Sequence, residues 1–456
     1  MNRLVIMVLG PLAGLILGFA LASAGAAPEI AWTAGVTLWT ASWWVFEPIP
    51  IPVTSFIPLA IFPLVGVLTP AQVGGAYGNP LILLLLGGFM LSMALEKSGA
   101  HRRLALNMVN LFGGQGGRPL VFGFMLAAAV LSMWISNTAT TLMLLPIALA
   151  TIEKANNPRL EVALLLGIAY AASVGGIGTP IGTPPNLIFM QVYGETTGST
   201  PGFVDWMGWA LPVVIVLVPV IGLWLTRGLT KVENLDLPQV GQWRTEEVRT
   251  LVVFVITALF WMTRKDPFGG WSSWLDLPAA NDASVALLAV VVMFVVPNGK
   301  GGQLLDWPHA VKIPWGILIL FGSGMAIAAA FISSGMSASI GEMLSKLAVL
   351  PTVLLILGIA LGVTFLTELT SNTATTALLM PILAAAAMAA DTDPLWLMVP
   401  AAMSASCAFM FPVATGPNAI MFGSGRIPIR VMAREGLALN LIGAVVITVT
   451  CYVALT

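Results

Sequence analysis

Ser136-Asn137-Thr138-Ala139-Thr140-Thr141 recurs unchanged 235 residues later as Ser371-Asn372-Thr373-Ala374-Thr375-Thr376. Each copy is a polar island in the middle of a long apolar segment, 119–152 and 351–388. Pro146 and Pro381 follow the two copies at the same offset, and Gly87 and Gly322 precede them at it. Further along, Thr183-Pro184-Pro185-Asn186 is answered by Thr415-Gly416-Pro417-Asn418 at an offset of 232. Matches at so constant a spacing mark a duplicated unit, residues 80–195 and 314–424.

The chain around these units is apolar. Of 456 residues, 58% are hydrophobic and 9% charged, against about 25% charged in a soluble domain. Apolar runs close to the ~20 residues that cross a bilayer recur throughout. They predict an all-α polytopic membrane protein of about 11 transmembrane helices, over 4–22, 30–46, 51–68, 80–98, 160–195, 203–226, 249–263, 282–297, 314–335, 395–424 and 436–455. Amphipathic stretches at 101–112, 238–249, 336–347 and 426–435 read as interfacial helices. The opening Met1-Asn2-Arg3 and the small residues at 22–27 imitate a signal peptide, but so many later spans need no separate signal. A net charge of −1 gives no footprint for nucleic acid. Cys407 and Cys451 read as small buried hydrophobes, and His101 and His309 lie in different loops. Nothing points to an organic cofactor.

Charge sets the orientation. With the N-terminus in the cytoplasm and the C-terminus in the periplasm, 16 of the 19 Lys and Arg face the cytoplasm, leaving only Arg264, Lys265 and Lys346 outside. This is the positive-inside asymmetry. It holds only if segments 119–152 and 351–388 enter and leave on one side. Arg118, Lys154 and Arg159 root the first on the cytoplasmic side, and the second is placed on the outer side. Both therefore read as re-entrant hairpins with polar tips, tolerated at depth only where protein or water covers them. The spans at 80–98 and 314–335 then run in opposite directions, so the repeats are inverted. Inverted repeats with broken helices in matching places point to a secondary transporter with its site near the midplane.

The tips and breaks carry the chemistry. Pro and Gly end helices and free backbone carbonyls and amides. Carbonyls together with Ser, Thr and Asn oxygens suit a small cation, and helix N-termini suit an anion. No Lys or Arg lies in the tips or breaks. An anion there must rely on helix ends and a bound cation, which argues for coupled binding. An isolated SNT triplet is as often mere helix glue; two copies in matching interrupted segments are not. Glu368, four residues before Asn372, is read either as a cation- or proton-handling group or as a structural cap. Trp43, Trp44, Trp206 and Trp209 read as interfacial belt residues. An intramembrane enzyme would need a catalytic pair at depth, and a channel would need a ring of filter groups; neither pattern is present.

The paired SNT tips, each followed by a Pro-Asn break, resemble the divalent anion/sodium symporter family, the INDY-type dicarboxylate transporters, over nearly the whole chain. The resemblance implies a homodimer with a scaffold and an elevator-type transport domain, carrying C4-dicarboxylates with co-transported sodium ions. It implies a first sodium site of Ser132, Ser136, Asn137 and the Gly182 carbonyl, and a second of Thr367, Thr370, Asn372 and the Ala414 carbonyl. Substrate carboxylates would meet Ser136, Asn137 and Thr138 from one half and Ser371, Asn372 and Thr373 from the other, with Thr183, Pro184, Thr415 and Gly416 as further contacts. Sodium-independent exchange, and sulfate or citrate as substrate, stay open within the family. One departure is Gly416, where the family more often has a second proline; a wider wall is expected there. The expected organisation is scaffold helices in 1–79, repeat 1 in 80–195, scaffold again in 203–313, repeat 2 in 314–424, and a last interfacial and transmembrane helix in 426–456.

Overall fold

The computed structural model describes residues 3–112, 116–155, 157–229, 241–265, 269–339 and 351–456. The described residues fold into helices, with one isolated bridge between Pro297 and Gln303. The main helices are α1 (Arg3–Ser23), α2 (Pro28–Phe46), α3 (Pro80–Ser98), α4 (Ala100–Phe112), α5 (Gly117–Ser132), α6 (Asn137–Ala155), α7 (Pro158–Gly175), α8 (Pro184–Thr197) and α9 (Phe203–Leu225). They continue as α10 (Thr245–Met262), α11 (Asp282–Val295), α12 (Trp315–Ser334), α13 (Thr352–Thr367), α14 (Asn372–Ala389), α15 (Leu395–Ala405), α16 (Gly416–Gly423) and α17 (Ile429–Leu455). Among the described residues, seven helical stretches are long and apolar enough to cross a bilayer. Gly117–Ser132, Thr352–Thr367 and Leu395–Ala405 are among the shorter apolar helices.

Local chemistry sets the helix starts. Asn79 caps α3 by accepting from Leu81 N at 2.8 Å, with Pro80 at the first helical position. Asn157 with Pro158 does the same for α7, and Asn281 accepts from Ser284 N for α11. Each half has the same order. A long helix (α3, α12) is followed by two arms around an SNT turn (α5–α6, α13–α14), then by a helix, a break and a second helix (α7–α8, α15–α16).

Two bodies emerge from the packing. In one, α3 packs on α11 and α10, and α12 packs on α2 and on the short helices Ile51–Thr54, Phe56–Leu64 and Pro70–Tyr77. In the other, α5, α6 and α16 surround α7, while α13 and α15 pack on α17. Helix α9 packs mainly on α7 and α17 and only slightly on α10, so it belongs with the repeat arms although it lies in the stretch 203–313. The bodies meet where α14 touches α2 and α12, where α8 touches α12 and α3, where α9 touches α10, and at the first tip, whose Trp134 carbonyl accepts from Ser92 Oγ of α3 at 2.9 Å. Helix α6 packs on α7, α16, α5 and α4 instead, and its residues Thr138, Leu142 and Pro146, one turn apart, are exposed.

Ion pairs join residues that the charge-derived topology puts on one side. Lys97 meets Asp306 at 2.7 Å, Arg103 meets Glu247 at 2.6 Å, Arg227 meets Glu435 at 2.6 Å and Arg426 meets Glu161 at 3.3 Å, all on the expected cytoplasmic side. Arg264 meets Asp282 at 2.6 Å on the other side. Lys97 and then His309 hydrogen-bond to Asp306 and hold its carboxyl well below the usual range. Burial opposes the charge on Glu247, yet hydrogen bonds from Arg244 and Arg103 outweigh it and bring the carboxyl to about 2.

Some of the expected elements change. The interfacial helix expected at 101–112 is α4, but that at 426–435 is not separate: α17 runs unbroken from Ile429 to Leu455. No proline interrupts it, and Gly436 lets it lie against the Phe409 carbonyl, 2.2 Å from where a Cβ would be. The span expected at 51–68 breaks at Ser55 and gives two short helices. Segment 336–347 falls largely outside the described residues, as do residues 238–240 of segment 238–249; the rest of the latter has no interfacial helix of its own, and 245–249 begins α10. Trp44 and Trp206 are buried, Trp44 donating to Ser55 Oγ at 3.1 Å, and so do not serve as belt residues.

Candidate functional site

Helices α6 and α14 start at the SNT motifs, and α8 and α16 start at the breaks. Four helix N-termini, each with free amides, thus come from the four motifs. The tips cross between halves. Arm α6 packs on α16 of the other repeat, and arm α14 packs on α8. At the first crossing, a Cβ added at Gly416 would lie 2.4 Å from Thr138 Oγ1. The wider wall expected at Gly416 is therefore absent, because the Thr138 side chain fills that space. Ser136, Thr138 and Gly416 are exposed, and Ser371, Asn372 and Thr373 are half-buried. Thr183 and Thr415 are buried at the helix starts, Thr415 Oγ1 accepting from Asn418 N at 3.2 Å, and Pro184 is half-buried.

The breaks are held open by matching asparagines. Asn186 Nδ2 donates to the carbonyls of Gly176 (3.0 Å) and Thr179 (2.7 Å). Asn418 Nδ2 donates to those of Ala408 (2.9 Å) and Phe411 (3.1 Å), each 232 residues on from its counterpart. The Pro-Asn pair thus serves first to staple its own loop. Both asparagines are fully buried.

In the first half, Ser132, Asn137, Gly176 and Gly182 converge. A Cβ on Gly176 would lie 2.5 Å from Asn137 Oδ1. A Cβ on Gly182 would lie 2.4 Å from the Gly176 carbonyl oxygen and 3.0 Å from that of Ser132. Backbone on two sides leaves room only for glycine at 182, and a side chain at 176 would displace the Asn137 amide. Ser132 Oγ and Asn137 Oδ1 are buried there without a hydrogen-bond partner. Acceptors left unpaired in a dry core cost about 1–3 kcal/mol each, a cost that a small cation removes. Ser136 of the expected set is exposed at the tip and faces out of this cluster's buried floor.

The second half differs. Thr367 Oγ1 lies 3.0 Å from Asn372 Oδ1 and 3.1 Å from the Ala405 carbonyl, so the two expected ligands meet each other. Thr370 turns back, donating to Leu366 O at 2.9 Å and pairing with Thr375 Oγ1 at 2.5 Å. Ala414 is buried beside the break, its N–H on Phe411 O at 3.2 Å. Ser404 and Ser406 flank Ala405, and their hydroxyls are buried and unpartnered. Sequence reasoning passed over both; the signal was their place at the end of the helix leading into the break. It also passed over Thr179, whose hydroxyl donates to the Met133 carbonyl and ties break to tip in the first half.

A duplicated, crossed pair of tips and stapled breaks, ringed by helix N-termini and oxygen ligands with no cationic side chain, defines a secondary transporter of anions. A family model described as citrate transporter matches residues 41–403. The sodium-dependent dicarboxylate transporter SdcS of Staphylococcus saprophyticus is 38% identical over 99% of this chain and 91% of its own length. The chain belongs to this citrate-transporter family, within the divalent anion/sodium symporters that its doubled motif resembles, and it is a transporter and not an enzyme. Among solved structures, the YdaH transporter of Alcanivorax borkumensis superposes with TM-score 0.58 at 15% identity, over 85% of this chain and 87% of that one. MtrF of Neisseria gonorrhoeae, from a class described as antimetabolite efflux pumps, superposes with TM-score 0.52 at 13% identity, over 90% and 96%. These two likenesses bear on the fold alone.

Proposed function

We propose that this chain imports C4-dicarboxylates such as succinate, malate and fumarate across a bacterial inner membrane, driven by sodium and an elevator movement. The observation that carries this reading is the pair of unpartnered buried oxygens, Ser132 Oγ and Asn137 Oδ1, enclosed by Gly176 and Gly182. Sodium placed among these oxygens satisfies them and supplies the positive charge that the tips lack. The dianion then bridges the SNT tips, its carboxylates on the N-terminal amides and hydroxyls of α6 and α14. The near-full-length likeness to proteins named as sodium-dependent dicarboxylate transporters supports both ions. Thr138 filling the space beside Gly416 favours a short dianion over a tricarboxylate.

In this reading the transport domain comprises α5–α9 and α13–α17, riding on a scaffold of α1–α3 and α10–α12 in a homodimer. Eleven membrane crossings and two re-entrant hairpins, α5–α6 and α13–α14, make up the inverted repeats. With the N-terminus cytoplasmic and the C-terminus periplasmic, α14 touches the scaffold helices α2 and α12, and a cavity of about 570 Å³ opens at the outer side between α14, α8 and α12. Arm α6 is open toward the cytoplasm, with Leu142 at 55% exposure and Val413, just before the second break, at 79%. The test is uptake of labelled succinate into liposomes holding the purified protein, under an inward sodium gradient, an inward potassium gradient, or internal succinate. Sodium-driven uptake that is lost in Asn137→Ala, Asn372→Ala supports the reading. Uptake that ignores sodium and requires internal succinate makes the protein an exchanger and refutes the sodium sites.

A further inference from the structure

The two halves join tip to break by different chemistry. In the first, the neutral Thr179 hydroxyl donates to Met133 O. At the repeat offsets, Met133 corresponds to Glu368 and Thr179 to Phe411. There the junction is a carboxylate: Glu368 Oε1 accepts from Met410 N at 2.8 Å, and Oε2 accepts from Phe411 N at 3.0 Å. A third donor comes from outside the repeats, Asn440 Nδ2 of α17, at 2.7 Å from Oε1. Asn440 Oδ1 in turn accepts from Phe409 N at 3.1 Å, and the Phe409 carbonyl accepts from the Tyr170 hydroxyl of α7 at 2.7 Å. Glu368 is 1% exposed, and Asn440 and Tyr170 are fully buried.

Three contacts, all donors, form the setting of an ionised carboxylate, which can only accept. No ion pair involving Glu368 occurs among the described residues, so hydrogen bonds stabilise its charge and no cationic side chain cancels it. The next residue toward the N-terminus is Thr367, which joins Asn372 and the Ala405 carbonyl in the second cation cluster. The halves are thus poised for a cation in unlike ways. The first offers unpartnered dipoles alone; the second pairs Thr367 with Asn372, leaves the Ser404 and Ser406 hydroxyls unpartnered, and adds a buried net charge beside them. A cation in the second half is the one species that neutralises this charge.

We infer that Glu368 is a positioning residue for the second sodium: its charge draws the cation into the second half, and its three hydrogen bonds fix the tip, the break and α17 together around it. The two sodium sites are therefore unequal. The first is set by dipoles and the second by charge, although the sequence motifs at the two are the same. This inference rests on the reading of the protein as a sodium symporter with one site in each repeat.

The test is sodium activation of succinate uptake by the full-length protein in liposomes, with choline replacing sodium. In Glu368→Gln the sodium concentration for half-maximal rate rises about ten-fold, the size expected for removing one nearby charge in a protein interior. Succinate KM at saturating sodium stays near that of the wild type. Combined with Ser132→Ala, which acts on the other site, the shift adds; combined with Thr367→Ala, at the same site, it does not. Asn440→Ala keeps the charge and removes one of its three donors, so its half-maximal sodium rises by clearly less than the roughly ten-fold of Glu368→Gln. That variant also carries the test if Glu368→Gln does not fold. Wild-type uptake indifferent to sodium refutes the symport reading and this inference with it. Sodium-driven wild-type uptake overturns this inference alone if Glu368→Gln lowers the maximal rate without moving half-maximal sodium, or if Asn440→Ala weakens sodium as much as the loss of charge does.

Discussion

Gly416→Ala tests the crossed tips directly. The new Cβ would stand 2.4 Å from Thr138 Oγ1, while the Thr138 Cβ and Cγ2 would be 3.5 and 3.6 Å away. The backbone need not move. Thr138 need only turn about χ1 until its hydrogen, neither its oxygen nor its methyl, faces residue 416. One staggered rotamer of three satisfies this. The cost to stability is therefore at the low end of the ~1–3 kcal/mol usual for overpacking. The cost to binding is larger, because the hydroxyl turned away is one that a substrate carboxylate would use. A hydrogen bond to a charged group contributes about 1.5–3 kcal/mol, and tenfold in affinity is about 1.4 kcal/mol. Succinate KM at saturating sodium should rise about 10- to 100-fold on these figures, with half-maximal sodium unchanged. Adding Thr138→Ser removes the methyl, frees a second rotamer and recovers most of the loss. Gly416→Pro should act in the same direction, since position 416 opens α16 and tolerates proline there. A KM for Gly416→Ala within about two-fold of wild type, beyond the error of such a comparison, would refute the contact's role in substrate binding. So would a loss that Thr138→Ser fails to restore.

The first cation cluster makes a prediction about stability. Ser132→Ala removes an unpartnered oxygen, so without sodium its melting temperature should match or exceed that of wild type. Its stabilisation by added sodium should vanish; a fluorescence melt in detergent across a sodium titration reads both. Thr179→Val removes the hydroxyl that ties break to tip in the first half. It should lose about 1 kcal/mol of stability and raise half-maximal sodium several-fold; unchanged uptake kinetics would count against the tie. On the expected cytoplasmic face, Glu247 sits at about 2 against an ordinary 4.5. Its folded value is depressed, so its stabilising contribution is complete above about 4.5 and is lost as pH falls from there toward 2. Melting temperature should drop steeply across that window in wild type and less in Glu247→Gln, and parallel curves would exclude Glu247 as the source.

The sequence made the chemistry of the site easier to read than its mechanics. Period, composition and the doubled SNTATT motif gave an all-helical membrane protein with two halves. The Lys and Arg distribution sorted loop residues that do pair across the fold, as Lys97 does with Asp306 and Arg227 with Glu435. Those signals are legible because each is local or statistical. The junctions are neither. Asn440 and Tyr170 reach the second break from 31 and 239 residues away along the chain, and nothing around them in sequence sets them apart from other polar residues in membrane helices. The asparagine of each Pro-Asn pair has its amide consumed in holding carbonyls of its own loop, a role that nothing local in the sequence announces.

Equal motifs also suggested equal sites, and the second half does not repeat the first. A duplicated unit begins with two copies of one chemistry, and each copy then meets different neighbours. Met133 and Glu368 occupy the same place in the repeat, but only the second has α17 behind it, with an amide to offer a buried carboxylate. A charge is tolerated in that position because three N–H groups stabilise it, and it is useful there because the cation that answers it is itself cargo. If both junctions were neutral, sodium would have to be drawn by dipoles alone in both halves. In the proposed reading, one charged junction gives the cycle an order of strength between two otherwise matched sites, and this asymmetry is what the sodium titration of Glu368→Gln against Ser132→Ala resolves.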